Sequence, residues 1–256
     1  MRYGLIVLVA LYGLFALSCS TYSTDPEEPP STLLAFTFDD GNRSIYEAGF
    51  PIMDEYGFVA TSFVNTAWTD RPNKMNWDML VELEHERGWE IGGHTLHHIN
   101  MPSCDSLTVV QEVECDWQNL VDHGLSHSSF ALPFGLGSAR DREIVLRYYS
   151  NIRTSQVEYQ YLPFDRHNIG YKPMLTDMPA DDMIEWIEDG LLSEPALIVV
   201  GFHTVYTDAE LVDAPYEMPS NCTPTEFRKI MQYVDEKGFR VVTISEATEI
   251  LCDQSR

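Results

Sequence analysis

Positive charge is what this 256-residue chain has least of: 16 Lys and Arg stand against 40 Asp and Glu, a formal net charge of −24. Gripping a phosphate backbone or an anionic lipid surface takes clustered cations that displace counterions, so nucleic acid and acidic membranes are poor partners for such a chain. A strongly anionic polymer is disfavoured as substrate for the same reason. A neutral or partly cationic polymer, such as one of amino sugars, is compatible; acidity that merely keeps the protein soluble is the plain alternative. The sequence also lacks a CxxC pair, which argues against a thiolate zinc site. No internal repeat is present, and the N-terminal apolar run, residues 5–17, is too short to span a bilayer comfortably. Hydrophobic residues make up 44% of the chain, enough for one globular core and too many for wholesale disorder.

Residues 1–18 read as an export signal, with Arg2 ahead of the apolar run and small residues before Cys19. Ala16-Leu17-Ser18-Cys19 resembles a bacterial lipoprotein cleavage box, with Ala16 where a Leu is usual. Export is therefore expected, ending in a cell-envelope lipoprotein anchored at Cys19, in plain secretion, or in a retained anchor helix. Such an anchor is the only membrane contact expected. Residues 19–31, rich in Pro, acidic and hydroxyl side chains, form a tether, and residues 32–256 form one domain. Cys104, Cys115, Cys222 and Cys252 are an even set in an oxidising setting; proximity suggests Cys104–Cys115 and Cys222–Cys252 bridges, with free buried thiols as the alternative.

Strand-like and helix-like segments alternate through the domain. Strands are expected at residues 33–38, 58–65, 129–133, 196–202 and 240–244, and residues 89–93 lead into a histidine cluster. Helices are expected at 76–87, 106–122 (with Ser106 as N-cap), 140–149, 180–192 and 225–236, and a short one ends near 250. That order implies an α/β fold with a mostly parallel sheet. Asp39-Asp40, the cluster from His94 to His98, and His203 each follow a strand, and in a closed β/α barrel those strand ends converge on one face.

Each cluster is ambiguous alone. Asp39-Asp40-Gly41 could be a simple turn, although neighbouring carboxylates on extended backbone point apart and so suit two different jobs. His94 and His98, at i and i+4, would lie on one face of a helical turn and reach one metal ion, with His97 a bystander. A chance surface cluster is the alternative. His203 could be a hydrogen-bonded core residue, or a proton donor, since histidine changes charge in the physiological range. Trp68, Trp77 and Tyr171 could stack on sugar rings or simply pack.

Taken together, Thr37-Phe38-Asp39-Asp40-Gly41, His94-Thr95-x-x-His98, Leu132-Pro133-Phe134-Gly135 and a strand ending in His203 resemble the polysaccharide deacetylase (NodB-homology) family, carbohydrate esterase family four. The resemblance runs from about residue 33 to about residue 249. It implies a distorted (β/α) barrel of about seven parallel strands. It implies that Asp40, His94 and His98 hold a divalent metal, zinc first with cobalt or nickel as alternatives, that Asp39 is the general base, and that His203 is the general acid. Phe134 and Gly135 would line the groove, where a backbone N–H helps hold the oxyanion. One position departs: the family usually has an Arg, paired with the catalytic Asp, where this chain has Ala131. Arg166, and after it Arg153, are the candidates to replace it, or else surface ion-pair residues.

The activity so implied is removal of acetyl groups from a carbohydrate polymer or oligomer, most simply from an N-acetylated amino sugar. The alternatives are an O-acetyl esterase of the xylan type, a non-catalytic carbohydrate-binding lipoprotein of the same fold, and amide hydrolysis on a small cyclic substrate.

Overall fold

β1, Leu33–Phe38, has six buried residues and no polar face, so it has to be covered on both sides, as strands of parallel sheets are. The computed structural model describes residues 32–207 and 220–253. The expected signal peptide (1–18), the tether (19–31) and Cys19 lie outside the described residues, which belong to one compact unit. After β1 come β2 (Thr61–Val64), β3 (Glu90–Gly93), β4 (Ser129–Ala131), β5 (Asn151–Arg153), β6 (Lys172–Pro173), β7 (Leu197–Phe202), β8 (Thr204–Val205), β9 (Asn221–Cys222) and β10 (Arg240–Val241). The main sheet runs β5-β4-β3-β2-β1-β7-β6, all pairs parallel, with β10 beside the start of β1. The chain between β5 and β7 closes the curl: Ile169 bridges to Arg153, Tyr171 N–H donates to the Gln156 carbonyl, and Lys172–Pro173 pairs with β7. The result is the distorted (β/α) barrel expected, with seven strands along the main path.

Alternation along the strands sorts side chains into two cores. Leu34, Phe36, Phe38, Ile198, Val200 and Phe202 join the layer packed under the helices. Leu33, Ala35, Phe63, Ala131, Leu197 and Val199 fill the barrel interior. Continuing that parity by two residues at a time turns Asp39, Asn65 and His203 inward, each just past the C-terminal end of its strand.

The helices are α1 (Phe50–Asp54), α2 (Trp77–Arg87), α3 (Ser106–Asp122), α4 (Ala139–Val145), α5 (Ala180–Leu191), α6 (Pro224–Glu236) and α7 (Ile244–Asp253). Their ends follow local chemistry. Asn76 caps α2, accepting from Met79 N–H at 2.9 Å, and Gly88 ends it in the left-handed region at φ 73°. Ser138 and Asp141 form a capping box on α4. The α3 N-cap is Asp105, not Ser106: its carboxylate, one residue earlier, accepts from Thr108 N–H at 2.9 Å. No sequence period announced the helical segment from Ile45 to Asp54 or the short β5.

The expected disulfides are absent, and all four cysteines of the domain are free thiols. Cys115 stands roughly 14 Å along α3 from the helix start near Cys104, well outside bridging reach. Cys222 is buried on β9 with Sγ donating to the Thr223 carbonyl at 3.6 Å, and Cys252 sits on α7. Among the described residues no helix is long and apolar enough to cross a membrane.

Candidate active site

Four strand ends supply the site. After β1 the chain leaves extended geometry at once, with Asp40 at φ 68° and Gly41 at φ 59°. The two adjacent carboxylates are therefore separated by a turn rather than by the strand pleat. Lys74 pins that turn: its Nζ donates to the Asp40 carbonyl and to Asn42 Oδ1, both at 2.8 Å. Asn42 in turn donates to the His203 carbonyl at 2.8 Å, tying the end of β1 to the end of β7.

The histidine segment after β3 is not a helical turn. It is a loop in which Thr95 (φ 63°) and His98 (φ 56°) are both left-handed, a conformation that costs an ordinary residue about 1 kcal/mol or more. The rings of His94 and His98 meet with centroids 4.8 Å apart because of these reversals, not because of 3.6-residue periodicity. His94 is buried, and its Nδ1 lies 2.7 Å from the Ala131 carbonyl. A carbonyl only accepts, so Nδ1 carries the proton and Nε2 presents its lone pair inward. Burial holds His94 neutral, down at about 4, against the pull of Asp39 and Asp40. Burial also pushes His98 below the usual histidine range.

Asp40, His94 and His98 form a triangle. Asp40 Oδ1 lies 3.6 Å from His94 Nε2 and 3.5 Å from His98 Nε2. No other set of three such side chains comes together among the described residues. Bonds of 2.0–2.1 Å around a tetrahedral zinc ion put neighbouring ligand atoms about 3.3 Å apart, close to both separations. Asp40 Oδ1 is moreover buried with no hydrogen-bond partner, a costly state for a carboxylate oxygen unless a cation meets it. The residues fit a divalent metal with one carboxylate and two imidazoles, which leaves coordination positions open as catalytic sites require.

Beside the triangle lies a second group. Asp39, 4% exposed, receives a hydrogen bond on Oδ1 from Arg153 Nη2, and its Oδ2 lies 3.8 Å from His203 Nε2. Burial alone would raise this carboxyl. The Arg153 guanidinium, helped by His203 and His94, overrides burial and holds it at about 2. Arg153 is itself buried, its guanidinium 4.2 Å from the Tyr171 ring centroid and 5.2 Å from that of Phe63.

Arg153 thus stands where a cation was sought to replace the one missing at Ala131. The two residues are register partners on neighbouring parallel strands, Ala131 on β4 and Arg153 on β5. Arg166, the other candidate, is turned away: its Nε donates to the Ser150 carbonyl and to Asn151 Oδ1, both at 3.0 Å. Phe134, left-handed at φ 56° and 59% exposed, sets its ring edge-on to His98 with centroids 4.5 Å apart, forming one wall of the opening. Gly135 N–H is committed to the Leu132 carbonyl at 2.8 Å, so it does not point at a substrate. Gly135 is needed for shape, being left-handed at φ 66° where a β-carbon would overlap Ser155. Trp68 lies beside His98 with centroids 5.7 Å apart, under the cations of Lys74 and Arg71. Trp77 stacks on His123 and Tyr171 is buried under Arg153, so neither lines an opening.

Several site residues escaped the sequence reading. Asn65 donates to the His94 carbonyl at 2.5 Å and sits at the inward position after β2, which strand parity would have found. Asp116 interrupts the buried stripe Val109, Val113, Leu120 of α3. A charged residue on an apolar stripe was the available signal. Burial pushes its carboxyl up to about 7 although several hydrogen bonds oppose this.

A closed parallel barrel with carboxylates and imidazoles gathered at strand C-terminal ends is the architecture of the NodB-like (β/α) barrels. Residues 27–148 match the family model for polysaccharide deacetylases. The chain is 28% identical over 121 residues to a poly-beta-1,6-N-acetyl-D-glucosamine N-deacetylase of Staphylococcus aureus; the match covers 42% of this chain and 42% of that protein, so it spans about two-fifths of the relative's length. Solved structures share the fold at low identity. The Xyl-CE4 domain of a multidomain xylanase from the hindgut metagenome of Trinervitermes trinervoides superposes with a TM-score of 0.58 at 16% identity, over 86% of this chain and 91% of that one. A family 4 acetyl xylan esterase from Clostridium thermocellum, in complex with a cobalt ion, gives a TM-score of 0.60 at 17% identity, over 86% of this chain and 91% of that one.

Proposed function

We propose that this chain is a metal-dependent deacetylase that hydrolyses acetyl groups from an N-acetylated amino-sugar polymer or oligomer. The observation that carries the reading is the buried, unpartnered Asp40 Oδ1 facing two imidazole Nε2 atoms, beside an Asp39 kept ionised by Arg153. A divalent cation, zinc first, bound by Asp40, His94 and His98 supplies Lewis acidity and acidifies water toward neutral pH. Cobalt or nickel would suit the same ligands.

The chain's own residues do the rest. Arg153 occupies Asp39 Oδ1 and leaves Oδ2 as the oxygen that takes the proton of the attacking water. His203 Nε2, 3.8 Å from that oxygen, gives a proton to the departing sugar nitrogen. His94 keeps its inward lone pair because Ala131 fixes its outer nitrogen. Phe134 walls the opening beside His98. The amide reading is supported by the Staphylococcus aureus relative, which is an N-deacetylase. Charge supports it too: each amide cleaved leaves a cationic amine, and a chain of net charge −24 attracts such a polymer rather than repelling it. Export through residues 1–18, with a lipid at Cys19 or plain secretion, is part of the proposal and would place the enzyme where such polymers lie.

The test is acetate release by the purified chain from N-acetylglucosamine oligomers and from acetylated xylan, with and without chelator. Chelator-sensitive release from the oligomers, restored by zinc or cobalt, is the expected result. Release from xylan alone would replace the amide reading with an ester one. Metal uptake without release from either substrate would favour a binding protein.

A further inference from the structure

One polar stripe on α3 faces the histidine loop. Glu112, Asp116 and Asn119 follow one another at i, i+4 and i+7, so they share a helix face. Asp116 is fully buried on that face and takes four donors from three separate parts of the chain. Its Oδ2 accepts the His94 backbone N–H at 3.1 Å and Tyr149 Oη at 3.0 Å. Its Oδ1 accepts Thr66 Oγ1 at 2.8 Å and Thr66 N–H at 3.3 Å, and Asn119 supports the same hydroxyl at 3.1 Å. One turn earlier, Glu112 accepts from His97 N–H and lies against His97 Nδ1, both at 2.8 Å, while its carbonyl accepts Leu96 N–H at 3.1 Å. His97 is therefore an anchor of the loop rather than a bystander. Gly93 completes the fit, since a β-carbon there would overlap Tyr149 Oη and Asp116 Oδ2.

We infer that Asp116 is a positioning residue for the metal centre: through the His94 backbone it fixes where the His94 ring stands relative to Asp40 and His98, with Glu112 as its second hold on the loop. The inference rests on the metal-centre reading above. Its physical ground is that the loop carries two left-handed residues, Thr95 and His98, and has no regular secondary structure of its own to hold them. The restraint comes from α3, a 17-residue helix packed on the barrel. Asp116 makes no contact with the ligating nitrogens, so its effect passes wholly through His94 and its neighbours.

The test uses the full chain and cobalt as the probe, read by calorimetric affinity and by the visible spectrum of the bound ion. Asp116→Asn replaces one acceptor oxygen with an N–H₂ group that opposes either the His94 and Tyr149 donors or the Thr66 donors. The expected outcome is cobalt binding weakened ten- to a hundredfold, as for partners that orient ligands elsewhere, with an altered cobalt spectrum and a folded far-UV signal. Glu112→Ala, at the solvent-facing end of the stripe, is expected to weaken binding several-fold, and it decides the matter if the Asp116 variant does not fold. Wild-type affinity and spectrum in a folded Asp116→Asn, or in Glu112→Ala where the first fails to fold, would overturn the positioning role alone. A wild-type chain that takes up no cobalt would overturn the metal centre and this role with it.

Discussion

Replacing Arg153 by methionine keeps a side chain of comparable length and removes the one cation buried against Asp39. The carboxyl stands at about 2 with Arg153 present, against 3.8 for an ordinary aspartate. That difference corresponds to about 2 kcal/mol in favour of the ionised form, net of burial. With the guanidinium gone, burial becomes the dominant influence and acts in the opposite direction. His94, itself held neutral by burial, offers little to counter it near neutral pH. The Asp39 carboxyl therefore rises, and the acid limb of the pH–activity profile moves to higher pH. In the wild type the depressed carboxyl contributes stability above about pH 4 that is lost as pH falls toward 2. In the variant that contribution is absent and a buried charge is left unpaired, at a cost of about 3–5 kcal/mol, or roughly ten degrees in melting temperature for a domain of this size. Acetate release measured from pH 4 to 8, with melting curves alongside, checks both effects. The swap Ala131→Arg with Arg153→Ala tests the geometry, because register partners on parallel strands stand about 4.8 Å apart. The double variant should recover part of the activity that Arg153→Ala loses. An Arg153→Met enzyme with an unmoved acid limb and an unchanged melting temperature would refute the argument.

Two further variants separate the neighbouring aspartate group from the ligands. Asp39→Asn should bind cobalt with near-normal affinity and lose at least a hundredfold in turnover, whereas His98→Ala should lose both metal and turnover; near-normal turnover in Asp39→Asn would exclude it as the base. Acid should also weaken the metal-free protein. His94 titrates at about 4 in the fold and at the ordinary value of 6.5 when unfolded, so the unfolded chain binds the extra proton in between and stability falls as pH drops through that window. From pH 7 to pH 5 the loss from this group is about 2 kcal/mol. Urea melts of the chelated protein should show it and His94→Gln should flatten it; equal slopes in both proteins would exclude His94 as the source.

Much of the scaffold was legible because long elements carry strong periodicity. The bounds of β1 and α3 are those the hydrophobic pattern indicated. The residues of the Asp40, His94 and His98 triangle were legible from type and order along the chain. The backbone that joins them was not: an i, i+4 pair of histidines suits a helical turn equally well, and only the left-handed Thr95 and His98 show that a loop brings the rings together. The Cys104–Cys115 bridge was misread because nearness in sequence ignores the length of the helix that follows Cys104.

The choice between Arg153 and Arg166 shows where reading a motif along the chain stops. β5 is three residues long, too short for any period to declare itself, so nothing in the sequence said which arginine stood on a strand and faced inward. Once the strand is placed, parity decides. Ala131 and Arg153 are register partners on adjacent parallel strands, and Arg153 reaches Asp39. A guanidinium launched from either position spans the few ångströms to the same carboxylate, so the requirement is for a cation at a point in space rather than at a point in the chain. Arg166 sits at a backbone hydrogen bond to Ile152 N–H, but its side chain is spent on the Ser150 carbonyl and Asn151. The small side chain at 131 then ceases to look like a defect. With Arg153 filling the inner layer between Phe63 and Tyr171, a second long cation opposite it would compete for the same volume and leave one buried charge unpaired.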